Sequence, residues 1–480
     1  MLDSSHRGPR HRGPSLTFTV LSGGTIMGVS EKRSTTKMLR VTAAGFAGTA
    51  LEYYDFFLYG TAAALVFGPL FFPSYSPLAG TLASFATFAV GFLARPLGSV
   101  LFGGMGDKVG RRKTLVFSLL MMGTATVLIG VLPTFEQVGW FAPLLLVTLR
   151  FVQGIAMGGE WGGAALMLVE HSPPYRRGLY GSTVQMGVPG GLLLSTIAIT
   201  VSDHISGDAF DTWGWRIPFL LSGILFAISM FIRLGVEETP DFTALQSASA
   251  QQSTPVNSLL RNQWREVALA AGVIAPGGIL FYLVSTYAVS YGTTVLDISR
   301  TTMLNALLAA SIVYLISLPV SGHLSDRFSR RAVILAGCVT ALFGGFVLFG
   351  LMNTGSGWAA FLGITFMLAV VHSALQAPQP AFLAERFGVD VRFSGVALSQ
   401  ALSVSVIGGT APFMATLFYS WTHSTWLICT WLTLWSVAGA VSTIALSRRP
   451  CAIDDAEQRP ADTDREPRLG ASRQLTGTHE

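Results

Sequence analysis

Charge is scarce in this 480-residue chain: Asp, Glu, Lys and Arg together make up 12%, about half the share of a soluble domain. Cysteine is scarcer still, at three. Cys338 and Cys429 fall inside apolar runs and Cys451 in a polar tail, so no disulfide framework or dithiol centre can be assembled. There is no Gly-x-x-x-x-Gly-Lys-Ser/Thr loop and no His/Cys metal-ligand spacing, which argues against ATP drive, metal chemistry, a cofactor or an enzyme. The stretch Leu16–Leu21 is too weakly apolar for a signal-peptide core. What the chain has is apolar surface: 51% hydrophobic residues, with a mean hydropathy of +0.53. Its 52 Gly and 22 Pro suit helices that pack closely and kink in lipid. A soluble globular enzyme, a disordered chain and a fibre are excluded.

The apolar residues fall into twelve runs, at 41–68, 78–104, 114–132, 141–169, 178–201, 215–235, 264–291, 301–321, 332–352, 358–383, 394–418 and 423–446. Each reaches about the 20 residues that span a bilayer, and several exceed it, so tilts and kinks are expected. With the N-terminus inside, 27 of the 31 Lys and Arg lie on the inner side. Arg300 is then the one cation of the outer loops, and Arg95, Arg150 and Arg216 lie within spans. This asymmetry predicts a multi-pass protein of the plasma (inner) membrane with both termini cytoplasmic. Trp140, Trp213, Trp215, Trp421 and Trp426 fall at outer span ends, as an aromatic belt would. The expected parts are a cytoplasmic tail over 1–40, a six-helix bundle over 41–235, a cytoplasmic linker over 236–263, a second six-helix bundle over 264–446 and a disordered tail over 447–480. Met27 is an alternative start to Met1.

The halves repeat. Gly103–Arg112 (GGMGDKVGRR) follows the second run, and Gly322–Arg331 (GHLSDRFSRR) follows the eighth. Glu170 with Arg176 and Gly178 recurs as Glu385 with Arg392 and Gly395. Two landmarks at one period predict a duplicated six-span unit, the plan of a transporter with a midplane site.

The few charges inside the runs carry most of the functional information. A charge at mid-bilayer costs roughly 2.5–3.5 kcal/mol and stays only if paired or solvated. Asp55 lies about 14 residues into the first run, near 21 Å at helical rise, and shares a helix face with Glu52. Two close carboxylates in low dielectric favour holding one proton between them, with Arg95 as counter-charge. A fixed ion-pair triad is the alternative. Arg150 lies deep in the fourth run, with Gln153 one turn on. A guanidinium takes a carboxylate bidentately, which suits a small organic acid, although Arg150 could instead be packing glue. The second half offers Tyr282 on the seventh run, and His372, Gln376 and Gln379 on the tenth just where Pro378 and Pro380 disturb the helix. Broken helices with converging polar groups commonly line cavities.

The pattern Gly-x-x-x-Asp-(Arg/Lys)-x-Gly-Arg-(Arg/Lys), complete at Gly103–Arg112, resembles the signature of the major facilitator superfamily. In the second copy Ser329 replaces its Gly. The first run (GTALEYYDFFLYG, 48–60), Arg95-Pro96-Leu97-Gly98, Arg150-x-x-Gln153-Gly154 with Gly158-Gly159-Glu160, Trp213-Gly-Trp215-Arg216-Ile-Pro218-Phe219 and Glu237-Glu238-Thr239-Pro240 are similar to the metabolite:proton symporter branch. Proline/betaine, α-ketoglutarate and shikimate permeases belong to that branch. Thr49 departs from it, standing where many relatives carry Asn. The resemblance implies an all-α membrane fold of twelve transmembrane helices in two pseudo-symmetric six-helix bundles. It also implies import of a small polar metabolite, here expected to be an organic acid, with protons by alternating access; the expected partners are the lipid bilayer, the substrate and protons, the charge distribution argues against nucleic acid, and a monomer is expected. In that reading Glu52, Asp55 and Arg95 couple the proton, and Arg150, Gln153, Tyr282, Gln376 and Gln379 bind substrate. Asp107, Arg111, Arg112, Glu170, Asp326 and Arg330 gate the inner side, with Asp107 able to cap a neighbouring helix N-terminus. A drug antiporter, suggested by Gly187-Val-Pro189-Gly190-Gly191 in the fifth run, and a non-transporting receptor are the rival readings.

Overall fold

The structure, a computed structural model, describes residues 46, 49–51, 53–98, 101–102, 111–157, 172, 174–235, 263–387 and 392–448. Glu52, Asp107 and Glu170 lie outside the described residues, as do the N-terminal tail, nearly all of the expected linker and the C-terminal tail beyond 448. Arg111 and Arg112 open the third span, but their side chains are also outside the description.

Among the described residues all regular structure is helical. Lipid offers backbone groups no partners, and a helix satisfies its own. Twelve spans follow the apolar runs. The first half runs 53–71, Pro77–Gly98, Arg111–Gly130, Phe141–Met157, Arg177–Ser206 and Arg216–Gly235. The second runs Trp264–Thr294, Arg300–Phe328, Arg330–Met352, Gly357–Ala384, Gly395–Thr422 and Trp426–Ser447. These are spans one to twelve below.

Sequence explains the local bends. Pro378 follows a break after Gln376, and span ten resumes at Gln379. Spans seven, ten and eleven each carry a wide π-helical turn, at Leu283–Tyr287, Phe366–His372 and Ser403–Gly408. Such turns rotate the side chains that follow and often sit at functional sites.

Two expectations are adjusted. Trp140, Trp213, Trp421 and Trp426 are exposed, but Trp215 is buried on Phe67, Phe71 and Phe219 instead of joining the belt. Beside it Arg216 donates to the carbonyls of Gly130 (3.1 Å) and Leu132 (2.6 Å), capping the end of span three. The second motif copy is also more helical than its loop-like sequence: span eight continues through Asp326 to Phe328 and stops at Ser329.

Glycines set the closest helix contacts. A Cβ on Gly154 would collide with the Gly91 carbonyl, so spans two and four touch backbone to backbone. Gly187, Gly190 and Gly191 lie on Phe46, Thr49, Ala50 and Tyr53, so the glycine run of span five is the seam against span one.

Candidate functional site

Span one delivers Asp55 to the interior, 6% exposed. Its Oδ2 accepts from Thr126 Oγ1 of span three at 3.0 Å. That hydroxyl accepts in turn from Gln153 Nε2 of span four at 2.8 Å. Gln153 Oε1 accepts from Arg150 Nη1 one helical turn earlier. A continuous hydrogen-bonded line, Arg150–Gln153–Thr126–Asp55, thus crosses the first half. Arg150 is the cation whose charge acts on Asp55.

Arg150 is fully buried in an aromatic cage, its guanidinium carbon 4.3 Å from the centre of Phe56, 4.2 Å from Tyr59 and 5.0 Å from Phe88. Ring faces attract a cation, more strongly when it is desolvated. Its Nε and Nη2 have no hydrogen-bond partner. Those two nitrogens form the guanidinium edge that grips a carboxylate with two parallel bonds. Gly91 makes room for this: a Cβ there would lie 2.5 Å from Nε. Arg95 reaches the same cluster from span two, stacking at 4.5 Å on both Phe56 and Phe92, with Nη2 3.6 Å from Met157 Sδ. Its charge acts on Arg150.

The second half contributes a separate polar cluster. His372 Nδ1 and the Tyr314 hydroxyl are 2.6 Å apart, and both residues are buried. Around Gly277 of span seven, the Cβ position lies 3.5 Å from Gln376 Oε1 and 3.7 Å from both Gln379 Nε2 and His372 Nε2. Gln379 Nε2 has no partner and is buried. Tyr282 crosses from this half into the cage of the first, its ring 5.0 Å from Phe92 and 6.0 Å from Phe88. Phe281, 5.4 Å from Tyr282 and 5.0 Å from His372, completes an aromatic partition between the two polar clusters.

Both rims of the molecule are tied. At one, Asp326 of span eight accepts from the N–H groups of Gly178 (2.8 Å) and Leu179 (2.9 Å), capping the N-terminal turn of span five in the other half. A carboxylate there meets the positive end of the helix dipole. Arg330 braces it, 3.5 Å from Asp326 and 3.1 Å from Glu385. Gly178 and Gly322 let the two helices cross with almost no gap. The capping role expected of Asp107 is therefore seen in its second-half counterpart. The Arg330–Glu385 contact joins the second copies of the two repeated landmarks. At the opposite rim Arg300 of span eight lies 2.6 Å from Asp211 and 3.3 Å from Asp203, over the ring of Phe210.

Asp55, Arg95, Arg150, Gln153 and Tyr282 are thus gathered in one place, and Gln376 and Gln379 in a second. Sequence reasoning gave no role to Thr126, Asp203, Asp211 or Arg300. Arg300 carried a signal, being the single cation of the outer loops. Thr126 carried none, because a hydroxyl within a span ordinarily bonds its own helix.

Comparison with known proteins bears on the fold and the family. Residues 45–411 match the family model described as Major Facilitator Superfamily. The chain is 40% identical to the shikimate transporter of Escherichia coli (strain K12) over 82% of its length and 90% of that protein. It is 32% identical to the citrate-proton symporter of Klebsiella pneumoniae over 86% of its length and 91% of that protein. Its fold matches a crystal structure of a D-xylose-proton symporter with a TM-score of 0.65 at 20% identity, covering 85% of this chain and 97% of that one. The twelve spans find their explanation in this ancestry: the chain belongs to the Major Facilitator Superfamily.

Proposed function

We propose that this protein imports a small organic acid together with protons across the inner membrane, by alternating access between its two six-helix bundles. The observation that carries the reading is Arg150: a fully buried cation whose bidentate edge, Nε and Nη2, is unmatched. Leaving such donors unsatisfied is costly, and a substrate carboxylate would satisfy both at once. The relatives named for shikimate and citrate-proton transport support an acid as cargo. Gln153 steadies Arg150. Tyr282, Gln376 and Gln379 receive the far end of the substrate once the aromatic partition parts.

Asp55 carries the proton, aided by Glu52, and Arg95 keeps the region positive. Asp107, Arg111, Arg112 and Glu170 in the first half, with Asp326 and Arg330 in the second, latch the cytoplasmic side, where both termini lie. Arg300 with Asp203 and Asp211 latches the outer side. The Asp326–Arg330 contacts at one rim and the Arg300 contacts at the other, which support these roles, are both formed in this structure. The protein works as a monomer.

The reading is tested in proteoliposomes with an inward proton gradient and labelled mono-, di- and tricarboxylates, with a betaine as control. Carboxylate should accumulate when the outside is acid. Arg150→Lys, which keeps the charge but loses the fork, should raise the KM for carboxylate by about 10- to 100-fold, the range for a hydrogen bond to a charged group. Asp55→Asn should exchange substrate but not concentrate it. Equal handling of acid and betaine by the wild type and by Arg150→Lys would overturn the assignment. Loading of everted vesicles only when their lumen is acid would replace symport with antiport.

A further inference from the structure

Thr126 stands at the centre of the buried line and has a single proton to give. Its hydroxyl lies 3.0 Å from Asp55 Oδ2 and also 3.0 Å from the backbone carbonyl of Met122, one turn earlier on its own helix. Gln153 Nε2 already donates to the same oxygen. The hydroxyl proton can therefore point at Asp55 or at Met122, but not at both. An ionised Asp55 only accepts, so it draws that proton to itself. When Asp55 binds a proton from solvent, its new O–H can donate to Thr126, whose own proton then turns to Met122. No proton leaves Thr126 in either state; only its direction reverses.

The reversal matters because of what lies beyond. With Asp55 ionised, the chain of polarised bonds leads from a carboxylate to Arg150 and offsets part of its charge. With Asp55 neutral, Arg150 keeps its full charge and an unmatched edge. The groups facing this line are few among the described residues. Arg150 acts on Asp55 from span four, Arg95 and Tyr282 act on Arg150 from spans two and seven, and Tyr59 touches it from span one. Tyr54, beside Asp55, is engaged by the Pro218 carbonyl of span six at 2.8 Å.

We propose that Thr126 is the positioning residue that relays the protonation state of Asp55 to Arg150, so that an anionic substrate binds well only after the proton has arrived. The proposal rests on the roles given above to Asp55 and Arg150.

The test measures substrate exchange and proton-driven accumulation for Thr126→Val, Thr126→Ser and Asp55→Asn, from mildly acid to mildly alkaline pH, with citrate and shikimate as probes. In the wild type the exchange KM should rise with pH. Thr126→Val keeps shape and loses the hydroxyl, so its KM should become nearly independent of pH and its accumulation should fall by about tenfold or more, as for loss of a hydrogen bond to a charge. Thr126→Ser should restore both. Thr126→Ala gives a second hydroxyl-free variant should the valine form be lost on purification. Wild-type pH dependence in the hydroxyl-free variants, with a flat profile in Asp55→Asn, overturns the relay alone. A serine variant that behaves like valine does the same, since packing would then be what matters. A wild-type profile in Asp55→Asn overturns the Asp55 reading and the relay with it.

Discussion

Gly91 and Gly154 are both crowded, but by different kinds of neighbour, and the difference predicts different failures. The nearest atom to a Cβ on Gly91 is Arg150 Nε, at 2.5 Å, the end of a side chain. The nearest atom to a Cβ on Gly154 is a backbone carbonyl, that of Gly91. Gly91→Ala should therefore yield folded protein that displaces the guanidinium and has a KM for carboxylate raised about tenfold or more. Gly154→Ala should force spans two and four apart and lower the yield of monodisperse protein, since overpacking costs about 1–3 kcal/mol. Gel filtration and exchange kinetics on the two variants separate these outcomes. At this scale Asp55, Arg150 and Gln153 were legible in the sequence, because charge and amide within an apolar run demand an explanation. The cage of Phe56, Tyr59 and Phe88 was not, since an aromatic in a membrane helix is ordinary until its neighbours are known. Nor was the choice of Arg150 over Arg95 as the cation acting on Asp55. Both are deep arginines, and only the packing of Arg95 onto Phe56 and Phe92 tells them apart.

Among the elements, the joint between spans eight and nine shows a conflict that the sequence displays without resolving. The motif of the first half has Gly110 where the second has Ser329, and Ser329 adopts φ 101° and ψ 145°, a region that favours glycine. Strain there is of the order of 1–3 kcal/mol. In return Ser329 Oγ accepts from the Ala332 N–H at 3.2 Å and caps span nine. Ser329→Gly should relieve the strain and lose only a few tenths of a kcal/mol of capping, a net gain of about 1 kcal/mol. Ser329→Ala should keep the strain and lose the cap, a loss of about 1 kcal/mol. Thermal unfolding in detergent reads both signs, and a lower midpoint for the glycine variant would refute the account. The twelve spans themselves were legible from run length and loop charge, as was the break at Pro378. The π-helical turns of spans seven, ten and eleven were not, because a one-residue insertion in a helix leaves no mark on an unbroken apolar run. The extension of span eight to Phe328 was hidden by its polar sequence.

At the scale of the whole molecule, the halves meet along spans five and eight and are tied at both ends of that contact. The internal repeat made the Asp326 turn legible as a charged landmark, whereas the Arg300 clasp has no repeat to announce it and depends on Asp203 and Asp211 of the other half. Arg300→Gln should weaken its own rim by about 0.2–1 kcal/mol, as for a partly exposed ion pair, and, with that rim outward as proposed, enlarge the outward-open population by up to about fivefold. A cysteine at Thr286, a residue only 2% exposed on span seven and facing Gly60 of span one, should then react faster with an impermeant maleimide added outside. Unaltered labelling would show that the clasp does not hold that rim.

The two ties also differ in how water reaches them. Asp326 is 6% exposed at its side chain, whereas Arg300 and Asp211 are 25% and 61% exposed. Dissolved salt screens charges over about 8 Å at physiological ionic strength and over shorter distances in brine, and it acts on wetted charges far more than on sheltered ones. A saline bath should thus loosen one rim and spare the other, so that the resting pose of the carrier leans toward its surroundings as they grow more concentrated.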